Sequence, residues 1–165
     1  MNLQKIDKAF REKYEPLLQS VITPRYVWKT ADINCTFLQG SDIKKHVENC
    51  DKIIVLAATL GLQVDELIRQ TEAADMAGAV VLDALASAAI EQVCDEAMKK
   101  IQLSTVNCQL STRFSPGYGD FPLEVQGELL ALLGAKKKIG LYVNESNLLI
   151  PRKSVTAVIG CRERF

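Results

Sequence analysis

Arg113 closes a β-prone stretch and is followed by Phe114-Ser115-Pro116-Gly117-Tyr118-Gly119-Asp120-Phe121-Pro122, before a helical segment opens at Leu123. Two glycines and two prolines in SPGYGDFP bar a regular element, so this stretch is a shaped loop. Such a loop can hold an anionic or polar group in two ways. Glycines and a helix N-terminus bare backbone N–H groups, and a guanidinium at the loop's start can clamp a carboxylate through two parallel bonds. Tyr118 adds a flat face for stacking. On spacing alone, a tight turn with an arginine at its rim explains the same residues. Gly117-Tyr118-Gly119 also starts like G-x-G-x-x-G, but Pro122 stands in the third glycine's place. No phosphate-holding lysine or ribose-binding acid accompanies it, so a dinucleotide fold is disfavoured.

A second candidate lies in DMAGAVVLDALASAAIEQVCDEAMKKI (75–101), which is rich in Ala, free of Pro and holds a single Gly. It predicts one helix roughly 40 Å long at 1.5 Å per residue, too apolar to lie at the surface. Within it Asp83, Ser87 and Glu91 recur at i, i+4 and i+8, a polar diagonal flanked by Val80, Ala84, Ala88 and Ile90. Small neighbours would let a ligand approach closely; a helix edge that simply meets solvent is the alternative.

Elsewhere the chemistry is thin. His46 is the only histidine and no G-x-S-x-G elbow exists, so a Ser-His or Cys-His hydrolase is not expected and His46 reads as an exposed helix residue. Five cysteines (Cys35, Cys50, Cys94, Cys108, Cys161) are an odd number, make no C-x-x-C and follow a charged start, MNLQKIDKAFREKYEP. They are expected to stay reduced, with no zinc site. Lys+Arg and Asp+Glu are 20 each, which leaves no positive field for nucleic acid or acidic lipid. No apolar run reaches the roughly 18 residues of a membrane span, and a cytoplasmic location is expected.

These residues need elements to position them, and 165 residues suit one domain with one core. Leu3, Ile6, Phe10, Tyr14 and Leu17 mark an amphipathic first helix, which Pro16 should bend or shorten. INCTFLQ (33–39) predicts a strand, and Ser41 the cap of a short helix to about Asn49. KIIVLAATLGL (52–62) is continuously apolar, as a buried strand would be, and a helix follows in VDELIRQTEA. Residues 103–114 predict a strand, LEVQGELLALL a helix ended by Gly134, and Lys136–Lys138 a solvated turn. KIGLYVNE and NLLIP flank a turn at 144–147, and SVTAVIGC completes three short strands. The fold class is α+β, a mixed or antiparallel sheet with strands near 33–39, 52–58, 103–114, 138–143 and 154–160, packed by helices that include one long central helix.

R-F-S-P-G-Y-G-D-F-P resembles the R-x-x-P-G-Y-x-x-x-P signature of the activation, or reactivation, domain of cobalamin-dependent methionine synthase, which binds S-adenosylmethionine. Leu82–Glu91 is similar to that domain's long central helix, and Leu149-Ile150-Pro151 with Ser154-Val155-Thr156 to its late P-x-x-S-V strand. The order agrees, and the likeness covers roughly residues 55–160. It implies a single domain over 1–165, with an N-terminal helical and strand part (1–50) and a ligand-binding core (51–165). It further implies an accessory role in a methyltransferase system of methionine biosynthesis. There the domain presents S-adenosylmethionine while an electron from a flavodoxin-type donor helps to convert cob(II)alamin back to methylcobalamin. The chemistry belongs to the cobalt, so no catalytic residue is expected here. The resemblance implies that Arg113 holds the ligand carboxylate, that Ser115, Pro116 and Gly117 offer backbone contacts, that Tyr118 lines the pocket and that Glu91 faces the ammonium or sulfonium charge. Trp28-Lys29-Thr30 only faintly echoes the family's W-T-P-F-F-like segment, and the chain ends at Cys161-Arg162-Glu163-Arg164-Phe165, soon after the P-x-x-S-V strand. A short free-standing form is therefore expected, its cobalamin carried by a separate methionine synthase chain. A scaffold for a corrinoid protein, with ligand binding lost, is the alternative.

Overall fold

The computed structural model describes the backbone of residues 3–164 and the side chains of residues 8–164, so Leu3, Ile6 and Phe165 lie outside the described side chains. The centre of the fold is β2 (Lys52–Thr59), whose side chains are buried from Ile53 to Thr59. That explains its unbroken apolar run: helices cover both faces of the sheet. β1 (Arg25–Asp32) pairs antiparallel with one edge of β2, Trp28 opposite Leu56, and β6 (Ser154–Glu163) with the other, Val158 opposite Val55. β3 (Cys108–Leu110) completes the order β1-β2-β6-β3. The fold is α+β with an antiparallel sheet.

On one face, Ile53, Val55 and Ala57 pack with Ile43 of α2 (Ser41–His46), Leu129 and Leu133 of α5 (Gln126–Leu133) and Ile139 of α6 (Ala135–Ile139). On the other face, Ile54 and Leu56 meet Ala97 and Ile101 of α4 (Met76–Ser104). Ala58 joins a cluster of Tyr14 and Leu18 from α1 (Leu3–Val21), Val64 and Ile68 from α3 (Leu62–Ala74) and Leu82 and Ile90 from α4. Burying each Ile, Val or Leu of β2 contributes about 1.5–3 kcal/mol relative to exposure. Neither layer can be removed without exposing one side of that strand.

α4 is 29 residues long and is long and apolar enough, by composition alone, to cross a membrane. It does not lie wholly inside, as its sequence suggested. Leu82, Ala86, Ile90, Val93, Ala97 and Ile101 form its buried stripe, while Met76, Val80 and Leu103 are exposed. Its many alanines make a solvent-facing apolar side small, which is why composition overstated burial. Asp75 caps its N-terminus by accepting the Gly78 N–H and also accepts the Tyr14 hydroxyl, tying α1 to the start of α4. These two bonds, the Tyr14 one foremost, hold the Asp75 carboxyl below its usual range.

Several expected elements differ. Residues 33–39 form turns, not a strand. Asp32 Oδ1 accepts the Asn34 N–H at 2.7 Å, and Phe37 and Leu38 are apolar because they plug the core from a turn. The edge strand lies just upstream, at Arg25–Asp32. The stretch 103–114 starts as the last turn of α4 and keeps only three strand residues, with Phe114 rejoining the sheet by a bridge to Val158. Lys136–Lys138 sit in α6, between Gly134 (φ 63°) and Gly140 (φ 70°), with their side chains solvated. The hairpin is β4 (Tyr142–Val143) with β5 (Leu149–Ile150), a separate small sheet, so β6 is not its third strand. α1 runs on through Pro16, because Tyr14 and Leu18 on either side are both anchored in the core. Cys108 and Cys161, expected to be reduced, are joined in a disulfide: pairing of β3 with β6 brings their Cα atoms to 5.5 Å.

Gly78 faces Tyr14 so closely that an added Cβ would lie 2.1 Å from its hydroxyl. Alanine there gains about 1 kcal/mol of helix propensity but must displace a buried ring, at a cost of about 1–3 kcal/mol. Gly78→Ala should therefore lower the melting temperature, and adding Tyr14→Leu should not lower it by the full further cost of a lone Tyr14→Leu, as thermal denaturation of the three variants will show.

Candidate functional site

The chain leaves the sheet after β3 and crosses to α4 through Arg113. The Arg113 Nη2 donates to Glu91 Oε2 at 2.8 Å and to Asp95 Oδ1 at 3.2 Å. Both hydrogens of Nη2 are thereby engaged, and each two-bond edge of a guanidinium includes this nitrogen. Any further carboxylate would have to meet Arg113 singly at Nη1 or Nε, or take the place of one acid. The guanidinium is largely covered, with 20% of its side chain exposed, whereas Glu91 and Asp95 are 60% and 67% exposed. Burial works against its charge, but Cys94, Glu91 and Asp95 together outweigh burial and raise its pKa further. Beside it, burial pushes the Cys94 thiol up to about 11, so this sulfur is no nucleophile near neutral pH.

The loop is held from beneath by α2. Asp120 accepts the Ser41 N–H (2.7 Å), the Ser41 hydroxyl (2.9 Å) and the Asp42 N–H (2.9 Å), while its own N–H donates to Asp42 Oδ2 at 3.0 Å. Thus α2 is capped by an acid 79 residues away along the chain from Ser41, not by Ser41 itself; its N-cap position is Gly40. The approach demands glycine on both sides. A Cβ on Gly119 (φ 51°) would lie 2.1 Å from Asp42 Oδ2, and one on Gly40 (φ 108°) 2.6 Å from the Asp120 carbonyl.

At the other end of α2, His46 is half-buried, not an exposed helix residue. Its Nε2 lies 2.7 Å from the Thr112 carbonyl and 3.1 Å from Ser111 Oγ, and its ring packs 5.0 Å from that of Phe114. A carbonyl only accepts, so Nε2 carries the proton and cannot serve Ser111 as a base. The pair positions the chain next to Arg113 and is not a hydrolytic couple.

Three of the loop amides close turns within the loop. Gly117 N–H donates to the Phe121 carbonyl at 2.8 Å, Tyr118 N–H to Ser115, and Phe121 N–H to Tyr118. The glycines supply positive φ for these tight turns, and the chain past Pro122 enters a short 3-10 turn, Leu123–Val125, before α5.

Between α4 and the loop runs an open cleft of about 570 Å³. Glu91, Arg113, Ser115 and Tyr118 line it, with Asp95, Met98 and Val155, so four residues singled out from the sequence do meet in one place. Pro116, which is buried, and Gly117 lie outside this lining. The rest of the polar diagonal is engaged too: Lys153 sits 2.8 Å from Asp83 and donates to Ser87 Oγ at 3.0 Å. The diagonal is therefore a row of anchors for two cations. Asp95 was missed although it continues the same four-residue spacing. Lys153, Asp120 and His46 carry no local signal, because their partners lie 65 to 79 residues away.

No family model and no curated protein matches the sequence. The solved structure of the MetH reactivation domain bound to AdoHcy does match, with a TM-score of 0.72 at 19% identity over 97% of this chain. The chain has the fold of that reactivation domain. It spans 65% of the length of the matched structure.

Asp120 is held below the ordinary carboxylate range, first by the Asp42 N–H and then by Ser41. A lowered pKa means that the loop's attachment is present above the ordinary value, near 4, and is lost as pH falls through the lowered one. In an NMR titration from pH 6 to 2, the Ser41 and Asp42 amide protons should shift together in the lowest part of that range. In Asp120→Asn the transition should be missing; its persistence would mean that another group controls the attachment.

Proposed function

We propose that this chain binds S-adenosylmethionine in the cleft between α4 and the Arg113 loop. In this reading it acts as an accessory component of cobalamin-dependent methionine synthase, supporting the reductive remethylation of cob(II)alamin held by a separate chain. What supports this is the shared fold with an AdoHcy-bound reactivation domain, coupled with the meeting of Arg113 and Glu91 across a cleft that also holds Ser115 and Tyr118. Arg113 offers free N–H donors to the ligand's carboxylate, and Glu91 faces its ammonium or sulfonium. Tyr118, 66% exposed, presents a ring for the adenine. Ser115 contributes through the cleft wall, and Pro116 and Gly117 through the shape of the turn behind it. Neither candidate beside Arg113 serves as a nucleophile: Ser111 has no base in His46, and burial keeps the Cys94 thiol protonated near neutral pH. The cobalt chemistry and the electron, from a flavodoxin-type donor, therefore come from partners. A cytoplasmic setting belongs to the same proposal, and in it the Cys108–Cys161 bond is one that cytosolic reductants would act on.

Isothermal titration with S-adenosylmethionine tests the reading directly. Removing a charge-assisted contact costs about 1.5–3 kcal/mol, so Arg113→Ala should weaken binding by roughly ten- to a hundredfold. Identical heats for the two proteins would remove Arg113 from the site, and no heat from the unaltered chain would favour the scaffold reading.

A further inference from the structure

The cleft holds more acid than base. Its charged lining groups are Glu91, Asp95 and Arg113, and the single charge of Arg113 is already shared between the two carboxylates, leaving a net charge of one negative. The next cation to reach α4, Lys153 from the turn before β6, is engaged with Asp83 and Ser87. Lys99, one turn beyond Asp95, does not line the cleft. Glu91 and Asp95 lie on one helical face, four residues apart, and both point at the same nitrogen. A ligand bringing only a carboxylate would add to the surplus. One bringing a carboxylate and two cationic centres would cancel it.

S-adenosylmethionine has that charge pattern: one carboxylate, one ammonium and one sulfonium, net one positive. Its demethylated product lacks the sulfonium charge and is net neutral, with nearly the same shape. We propose that Asp95, the acid left over once Arg113 and Glu91 are matched, makes the cleft a reader of the sulfonium charge, so that the methyl donor is held in preference to the spent thioether. This rests on the ligand class proposed above and adds to it a specificity-determining residue. It gives the chain a means of staying loaded when both forms are present.

The experiment is titration of the full chain with S-adenosylmethionine and, separately, S-adenosylhomocysteine, at low salt and at about 0.5 M salt. Unaltered protein should prefer the sulfonium by roughly three- to tenfold at low salt, a preference that shrinks as salt screens it. Asp95→Asn keeps the side chain's shape and should bring the ratio to within about twofold of one, mostly by weakening the methyl donor. Glu72→Gln on α3, an exposed acid away from the cleft, should leave the ratio unchanged, and melting curves check that both variants fold. Equal affinities in the unaltered protein, or a ratio untouched by Asp95→Asn, overturn the role of Asp95 while leaving the ligand class standing. Absence of binding by either ligand overturns both.

Discussion

Everything in this fold follows from a strand that has no wet face. β2 is buried along nearly its whole length, so the chain must supply a helical layer on each side, and it does so from opposite ends of the sequence. α1, α3 and α4 come from the first two thirds, α5 and α6 from the last third, with α2 placed under the same face as the latter pair. The cleft lies where the layers are stitched at the sheet's short edge. β3 has only three residues, and beyond it the backbone must find other partners. It finds α4 through Arg113, β6 through Phe114 and α2 through Thr112 and Asp120.

How much of this was legible depended on the range of the interaction. The long helix, the buried strand and the late hairpin showed themselves because their signals are local: alanine content, a continuous apolar run, an Asn-rich turn. Residues 33–39 misled because Phe37 and Leu38 look like strand residues but fill the core from a turn, where apolar character serves packing and not pleating. The disulfide and the continuation of α1 through Pro16 were hidden for a related reason. Both are settled by tertiary neighbours, to which the local pattern is blind.

The cleft was half readable. Arg113 and Tyr118 announce themselves by loop chemistry and Glu91 by its place on the α4 diagonal, whereas the part of Ser115 and the meeting of all four rested on the resemblance to the reactivation domain. The loop's manner of support could not. Glycines at 117 and 119 suggested amides free to bind an anion, yet the Gly117 amide closes the loop's own turn, as do those of Tyr118 and Phe121. Glycine freedom is needed for backbone shape and for the close passage of Asp42, and composition cannot separate these uses from ligand binding.

The six-residue helix α2 has an importance out of proportion to its length. Its first turn grips Asp120 and its final residue grips Thr112, so it spans the arginine loop much as a clasp spans a strap. The smallest portable unit of this pocket is therefore discontinuous. Anyone grafting residues 111–121 onto another scaffold would carry over the loop's cleft-lining groups and leave behind what shapes them, unless residues 40–46 travelled with them in the same relative placement.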